Sequence, residues 1–212
     1  MSTIIKTEVF IFDELSNVAK ECARDWYREA MLDYDWWSFV YDDFAVICKI
    51  LGIKLKTRSV KLVGGGKRQE PCIQFSGFCS QGDGASFEVD LYAYARKNTP
   101  QIKAHAPKDI ELHDIAACLA AIQRRNFYQL YARVDHRGRY VHENMMQVDV
   151  RRDDAEMTTD AEDIITEAMR DLSRWLYGRL MAEYEYLLSD GQVEESITAN
   201  GLTFTADGRR FG

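Results

Sequence analysis

Residue types that could do chemistry are concentrated in one Gly-rich stretch, residues 75–88, which reads Phe-Ser-Gly-Phe-Cys-Ser-Gln-Gly-Asp-Gly-Ala-Ser-Phe-Glu. Its small residues could form a backbone nest for an anion, or place the Asp83 carboxylate as a metal ligand. The stretch lacks the strand-to-helix context and the Lys-Ser/Thr pair of a P-loop, which argues against nucleotide binding by that mechanism. A plain hairpin turn whose glycines supply positive φ is the competing interpretation. A ligand or partner site here would use Ser80, Gln81, Gly82, Asp83, Gly84 and Glu88.

Acidic side chains beside this stretch raise the question of a metal site. Glu88 and Asp90 lie two apart on one predicted strand face, close in sequence to Asp83. Nucleases of the Asp…Glu-x-Lys kind hold a divalent metal with acids in this arrangement. Asp90 stands at the lysine position of that pattern, so the group that would activate water is missing. A composite acid–base or metal pocket of Asp83, Glu88, Asp90 and His142 stays open as an alternative, with a divalent metal as its one cofactor.

No other set of residues has catalytic spacing in the sequence. The four histidines form no HExxH motif and no i, i+4 pair, and no cysteine stands at zinc-ligand spacing. Ser80 and Cys79 lie outside a GxSxG elbow, and a serine without an assisting base is inert at neutral pH. We therefore expect binding rather than catalysis, and no cofactor is predicted for a binding function.

The composition describes an acidic globular chain. It has 212 residues, 34 of them acidic and 27 basic, a formal charge of −7, and 46% hydrophobic residues, enough for a substantial core. Net negative charge disfavours direct nucleic-acid binding, because phosphate neutralisation supplies most of that affinity, and favours a partner protein with a basic surface. With no secretory signal and no run of 18 apolar residues, we expect a cytoplasmic protein without membrane contact. Five scattered cysteines are interpreted as small buried apolar residues in a reducing compartment.

The charge is unevenly distributed along the chain. Residues 13–43 carry nine acids and three bases, and residues 156–200 carry eleven acids and three bases. Residues 54–70 are the opposite, with six bases and one acid. Solvated helix faces explain such runs without any function. The functional interpretation is an acidic surface that imitates nucleic-acid phosphates or docks on a basic protein groove.

Two adjacent tryptophans lie within the first acidic region. On a helix Trp36 and Trp37 would be about 100° apart, so both do not fit the same core face. An exposed indole among carboxylates makes a good interface anchor, since aromatic residues dominate binding energy at interfaces. The carboxylates in question are Asp33, Asp35, Asp42 and Asp43.

Apolar periodicity places these residues on helices and strands. Spacings of three and four predict helices at 10–30, 35–51, 107–125, 158–188 and 193–200, with Gly52 as a C-terminal stop. Alternation predicts strands around 53–62, 71–79, 86–96, 127–134, 139–150 and 202–205. The two turns rich in Gly and Asp, at 80–85 and 135–138, predict hairpins.

These elements predict an α+β fold: a central antiparallel sheet of about five strands, flanked by an N-terminal helical hairpin and a long C-terminal helix. We expect one domain over residues 1–212. Its parts are the helical hairpin 10–52, the sheet 53–150 with helix 107–125 inserted, and the long helix 158–188 with the C-terminal tail.

Taken together, three features resemble a group of small phage and prophage proteins, some of which are labelled antitoxin-like. They are residues 75–88 with the segment Ser-Gln-Gly-Asp-Gly-Ala, the upstream acidic and aromatic helix pair, and the tail around residues 199–208. The likeness extends over most of the chain and is most specific in the Ser-Gln-Gly-Asp-Gly-Ala segment. In that group a Gly follows Glu88, whereas this chain has Val89 and Asp90. The resemblance implies a viral accessory protein that acts on host machinery, and it transfers no catalytic residue.

The leading functional hypothesis is a phage-encoded accessory protein in the host cytoplasm. It would bind a host protein with a basic surface, such as a defence system or toxin, and inhibit or redirect it through the acidic helices and the Gly-rich loop. The alternative is a small-ligand or nucleotide-binding protein, or a metal-assisted hydrolase, with a pocket near that loop.

Overall fold

The computed structural model describes residues 7–30, 33–153 and 155–212, which form two compact units. The terminal unit comprises the chain up to residue 38 together with residues 181–212, and the central unit comprises residues 39–180. Both names refer to position in the sequence. The expectation of a single domain over residues 1–212 stays a prediction.

The terminal unit is built on two helices from opposite ends of the chain. Helix α1 (Asn17–Ala30) is capped by Ser16, whose Oγ accepts a hydrogen bond from the Ala19 amide at 3.3 Å. It packs against helix α6 (Asp190–Ala199). Three short antiparallel strands complete the unit in the order β1 (Phe10–Ile11), β10 (Thr203–Phe204), β11 (Arg210–Phe211). The buried core consists of Phe12, Leu15, Ala19, Ala23, Val193, Ile197 and Phe204.

The central unit combines helices with short antiparallel sheets. Its helices are α2 (Ser38–Leu51, from Phe39 onward), α3 (Asn98–His105), α4 (Ile110–Arg125) and the first twenty residues of α5 (Ala161–Leu188). Its strands are β2 (Ile53–Leu55), β3 (Thr57–Lys61), β4 (Lys67–Pro71), β5 (Ile73–Phe75), β6 (Ala85–Phe87), β7 (Val89–Ala93), β8 (Leu130–His136) and β9 (Met146–Arg152). The largest sheet has the order β2-β7-β8-β9.

Three extended segments of this unit each pair with both of the others. β2 pairs with β7, β3 with β4, and β5 with β6, all antiparallel. The pairings change at Lys56, Cys72 and Glu88, one in the middle of each segment. There the backbone amide of Lys56 donates to Glu88 (2.9 Å), that of Cys72 to Lys56 (2.7 Å) and that of Glu88 to Cys72 (3.0 Å). The ring satisfies a donor and an acceptor of all three residues where the strands separate.

Helices cover one face of these sheets. The Phe44 ring on α2 lies 5.1 Å from that of Phe87 on β6 and 6.3 Å from that of Trp175 on α5, as measured between centroids. Ser173, buried on α5, donates from its hydroxyl to the Ala85 carbonyl at 2.6 Å, which fixes the helix to the start of β6. Asp109 caps α4 by accepting from the Leu112 amide at 3.1 Å.

The prediction of an α+β chain with antiparallel sheets is confirmed. A single central sheet of about five strands is not shown: the described residues place strands in four sheets, the largest of four strands. The pairing change at residues 56, 72 and 88 divides one long meander into shorter ladders. Of the two helices in the predicted hairpin 10–52, α1 belongs to the terminal unit and α2 from Phe39 onward to the central unit, and their pairing as a hairpin stays a prediction.

Cysteine burial differs from the expectation. Cys48 and Cys72 are buried, and burial raises the pKa of both thiols. Cys22, on α1, and Cys118, on α4, are exposed on the solvent sides of their helices, and Cys79 is exposed in the loop between β5 and β6. Among the described residues, no helix is long and apolar enough to cross a membrane.

Gly52 should be hard to replace. Its φ is +84°, and a Cβ there would lie 2.2 Å from the Ala93 carbonyl oxygen, so Gly52→Ala combines a disfavoured backbone conformation with a clash. We expect it to lower the free energy of unfolding by more than about 1 kcal/mol in urea titrations. The control is Gly178→Ala, in the interior of α5 with no atom within 4 Å of an added Cβ. It should raise the free energy by about 0.5–1 kcal/mol, and equal losses in both variants would contradict this explanation.

Candidate functional site

The Gly-rich loop between β5 and β6 is held by the carboxylate of Asp83. Its Oδ2 accepts hydrogen bonds from the backbone amides of Cys79 (3.1 Å) and Ser80 (2.7 Å), and its own amide donates to the Ser80 carbonyl at 3.0 Å. Ser76 closes the base of the loop: its amide donates to the Gly84 carbonyl at 3.0 Å and its Oγ accepts from the Gly84 amide at 3.2 Å. Asp83 therefore stabilises the turn from inside.

Glycines in this loop are required by its close neighbours. Gly82 has a φ of +96°, and a Cβ there would lie 3.1 Å from the Tyr140 ring. Gly84 is buried, and a Cβ on it would lie 2.6 Å from Cβ of His142. The Tyr177 hydroxyl of α5 donates to the Gly77 carbonyl at 2.9 Å. The turn interpretation accounts for each of these glycines, and the side chains left facing solvent are Cys79, Ser80 and Gln81.

The four candidate metal ligands have different environments. Asp83 binds backbone amides, and Glu88 Oε2 accepts from Lys56 Nζ at 2.7 Å. His142 accepts the Asn144 amide on its Nδ1 at 3.2 Å, and Asp90 is exposed, 3.9 Å from Lys54 Nζ. Within residues 7–30, 33–153 and 155–212, no group of three or more His, Cys, Asp or Glu side chains could hold a metal ion. To bind a metal, Asp83 would have to leave the backbone amides and Glu88 would have to leave Lys56.

The tryptophan pair precedes α2 and lies in a turn of the terminal unit. Trp36 is buried, 6% exposed, with its ring 5.8 Å from that of Tyr184. Trp37 is half-buried and packs edge-on against Trp36, so it presents the more accessible indole of the two. Asp33 and Asp35 beside them are exposed.

Asp42 and Asp43 belong to the central unit, on the exposed side of α2. Asp43 Oδ1 lies 2.8 Å from His105 Nε2 at the end of α3. This contact ties two helices together, which gives Asp43 a structural role, while Asp42 remains exposed to solvent.

The net negative charge of the chain resides in the terminal unit. By sequence that unit has fourteen acidic and six basic residues, whereas the central unit has twenty acidic and twenty-one basic residues. Two of the six bases, Arg24 and Arg28, lie at the contact between α1 and α6. Arg24 Nε pairs with Glu194 Oε1 at 2.9 Å, and Arg28 pairs with Asp25 at 2.9 Å and also with Asp190. These pairs hold α1 to α6 and leave other carboxylates of the unit facing water.

A groove with an indole in its wall runs along this unit. It has a volume of about 660 Å³, and the guanidinium of Arg210 lies 5.8 Å from the centroid of the Trp26 ring. Asp25 and Glu29, one helical turn apart on α1, supply its carboxylates. The full lining is Cys22, Asp25, Trp26, Glu29, Arg209 and Arg210. The guanidinium of Arg210 already contacts the indole, and the two carboxylates of α1 lie beside it.

Two charged surfaces of the central unit were not among the binding sites predicted from the sequence. The outer face of the four-stranded sheet carries exposed Leu91 and Arg133, which line a cleft of about 490 Å³, and exposed Arg151, which pairs with Asp149 at 2.8 Å. The ribbon β3–β4 is exposed along its length and basic. The alternating charges of β8 and β9 could have revealed the first. The second appeared in the sequence only as a charge run.

Lys56 connects the ring of backbone hydrogen bonds to its surroundings. Its Nζ donates to Glu88 at 2.7 Å and to Asp135 at 3.2 Å. These hydrogen bonds, that to Glu88 first, hold the pKa of Lys56 above its ordinary value. Glu88, a predicted contact residue, therefore acts here as an ion-pair partner within the fold.

Comparison with known proteins gives one family. The family described as Domain of unknown function (DUF8835) matches residues 36–190, which is more than half of the chain. Neither the curated proteins nor the solved structures contain a match. The matched range includes the whole central unit, the Gly-rich loop and the ribbon β3–β4.

Removal of the Asp83 carboxylate should open the loop. Because two backbone amides lose their acceptor, Asp83→Ala should lower the free energy of unfolding by about 1–2 kcal/mol. Asp83→Asn, which keeps one acceptor oxygen, should recover part of that loss. Asp90→Ala is the control, since an exposed carboxylate 3.9 Å from a lysine contributes less than about 0.5 kcal/mol. Chemical denaturation measures all three, and a neutral Asp83→Ala would refute the capping role.

The Lys56 contacts predict a pH dependence at high pH. A lysine whose pKa is raised by folding stabilises the protein fully below its unfolded pKa of about 10.4, and this contribution is lost as the pH rises through the folded pKa. The stability difference between wild type and Lys56→Gln should thus be constant up to about pH 9 and shrink at higher pH. Lys54→Gln is the matched control. A difference that is independent of pH up to the alkaline limit would contradict the ion pair.

Proposed function

The chain belongs to the DUF8835 family, and we propose that it is a binding protein that docks on a basic partner protein through the acidic surface of its terminal unit. The observation that carries the proposal is the separation of charge between the two units. Fourteen acids against six bases give the terminal unit a strong negative field, while the central unit is balanced. Electrostatic complementarity of this kind steers a basic partner and selects against acidic ones.

The internal use of arginines strengthens this proposal. Arg24 and Arg28 neutralise carboxylates at the α1–α6 contact, so the fold is held together without removing the outer negative charge. Glu29, Asp33 and Asp35 are exposed and form no ion pair with any described residue. Together with the half-buried Trp37 and the groove at Trp26 they offer carboxylates beside aromatic rings. Interfaces that recognise lysine and arginine use this combination.

A role as a phage accessory protein that inhibits or redirects a host factor is part of the proposal. It is supported by the resemblance of residues 75–88 and the acidic helices to small phage and prophage proteins. A host defence protein or toxin with a basic surface is the partner class that fits the charge. The Gly-rich loop, with Ser80 and Gln81 facing solvent, supplies a second contact surface on the central unit.

The alternative function, a ligand-binding or metal-assisted pocket near that loop, has less support. Asp83 is occupied by backbone amides and Glu88 by Lys56. The two functions can be distinguished by measuring the melting temperature of wild type and of Asp83→Ala with and without Mg²⁺, Mn²⁺ or nucleotides. A rise that is lost in the variant would favour the pocket over the acidic surface.

Neutralising the acidic surface should abolish partner capture. The triple variant Glu29→Gln, Asp33→Asn, Asp35→Asn removes three exposed carboxylates of the terminal unit. In affinity capture from bacterial lysate, wild type should retain a protein of basic isoelectric point, and the triple variant should bind that purified partner at least about tenfold more weakly. Binding by wild type should also weaken steeply with salt, because its attraction is largely between exposed charges.

The matched control changes the same number of charges on the central unit. It combines Asp114→Asn, Asp153→Asn and Glu156→Gln. The three wild-type side chains are exposed and form no ion pair with any described residue. This triple variant should bind the partner as wild type does. Equal weakening in both triple variants, or salt-insensitive binding, would remove the terminal unit from the proposal.

A further inference from the structure

The ribbon β3–β4 is a separate feature of the central unit that the acidic surface does not explain. Thr57–Lys61 pairs with Lys67–Pro71, and every residue from 57 to 69 is exposed except the half-buried Val60. Two-stranded ribbons without a covering layer are only marginally stable in water. The exposed strands of such a ribbon are open to contact with another molecule.

One face of the ribbon is entirely free of carboxylates. Cross-strand partners share a face, and the pairs on this one are Thr57 with Pro71, Ser59 with Gln69, and Lys61 with Lys67. The face thus offers two ammonium groups together with hydroxyl and amide groups, all accessible to solvent. Its single nearby acid, Glu70, lies on the opposite face, where it pairs with Arg68 at 2.6 Å.

Lys61 and Lys67 form a pair that the fold alone does not account for. They stand directly opposite each other, and like charges in that position destabilise a ribbon. Neither lysine forms an ion pair with a described residue. An anion placed between the two ammonium groups would turn this repulsion into attraction.

The net charge of the chain does not argue against an anionic partner for this ribbon. The excess of acids belongs to the terminal unit, and the central unit has twenty-one bases against twenty acids. Over one Debye length, about 10 Å at moderate salt, the local charge decides which ions are attracted. Around the ribbon that local charge is positive, because Arg58 on its other face adds a third cation without an ion pair among the described residues.

We propose that the ribbon β3–β4 binds duplex nucleic acid, with Lys61 and Lys67 on backbone phosphates. The major groove of duplex DNA admits a two-stranded β-ribbon. Most protein–DNA hydrogen bonds go to phosphate and sugar, from lysines and from Ser, Thr and Gln side chains of the kind on this face. Ser59 and Gln69 lie one pair behind the lysines, where they add hydrogen bonds to backbone or base edges. The contact is of the non-specific, salt-dependent type.

Other anionic partners fit the ribbon less well. An acidic protein would pair with the lysines, but its binding would not require the hydroxyl and amide groups of the same face. An anionic membrane would use the tip, where Val63 is fully exposed and Leu62 is half-exposed, with the lysines at the headgroups. The membrane would engage only the end of the ribbon, whereas the carboxylate-free face runs along its whole length.

The test measures binding of the full chain to fluorescein-labelled duplex DNA of random sequence by fluorescence anisotropy over a range of salt. Wild type should bind at low salt. The variant Lys61→Gln, Lys67→Gln should bind about tenfold or more weakly, and its slope of log affinity against log salt should fall by about 2, one for each phosphate contact. Neutralising the opposed pair removes repulsion, so this variant should stay folded.

The matched control is Lys103→Gln, Lys108→Gln, two exposed lysines of the same unit. It should bind DNA as wild type does. Equal loss in both variants, or no binding of wild type to the duplex at low salt, overturns the proposal. Binding to vesicles of phosphatidylserine that Val63→Ser abolishes, without DNA binding, assigns the ribbon to membranes and also overturns it. Because this assay contains no protein partner, its failure leaves the proposed acidic docking surface unaffected.

Discussion

The ring of three backbone hydrogen bonds among Lys56, Cys72 and Glu88 is the constraint on which the central unit depends. At this point three extended segments exchange partners, and each ring residue donates from its amide to one of the other two and accepts at its carbonyl from the remaining one. The ring fixes how far the sheet β2-β7-β8-β9 extends. It also determines that β3–β4 leaves as a ribbon without a covering layer, and that β5–β6 carries the Gly-rich loop toward α5. The Gly-rich loop and the ribbon β3–β4 therefore both follow from this one junction.

The charges of the chain are also divided unequally between the terminal and the central unit. A whole-chain charge of −7 describes neither unit, since one is strongly acidic and the other balanced. In the terminal unit, Arg24 and Arg28 are placed inside the α1–α6 contact, where their ion pairs hold helices that are more than 150 residues apart in the sequence. In the central unit Lys56 has the corresponding position at the junction. Because Arg24 and Arg28 are mostly buried and already paired, they add little positive charge to the surface of the terminal unit.

Sequence patterns within a few residues predicted individual helices, helix ends and turns of this fold. The apolar stripe of α5, the stop at Gly52 and the hairpin at 80–85 followed from periodicity and turn chemistry, because those signals lie within a few residues. The sequence could not predict that α1 packs against α6, since an amphipathic helix specifies an apolar face without its partner. It likewise could not show that the three extended segments divide at residues 56, 72 and 88, because each one alternates as a single strand would.

In the candidate site, too, the sequence does not show which partners the side chains contact. Asp83, Glu88, Asp90 and His142 are close in sequence or on neighbouring strands, and their types are those of metal ligands. In the fold Asp83 faces its own loop, because two amides left unpaired by the tight turn need an acceptor. Glu88 faces Lys56, whose ammonium group lies 2.7 Å from its carboxylate at the junction. Carboxylates already engaged by the backbone and by a lysine would have to exchange those partners for a metal. Surface charges such as Asp33 and Lys61, which form no ion pair with a described residue, have no such exchange to make and are better placed to bind another molecule.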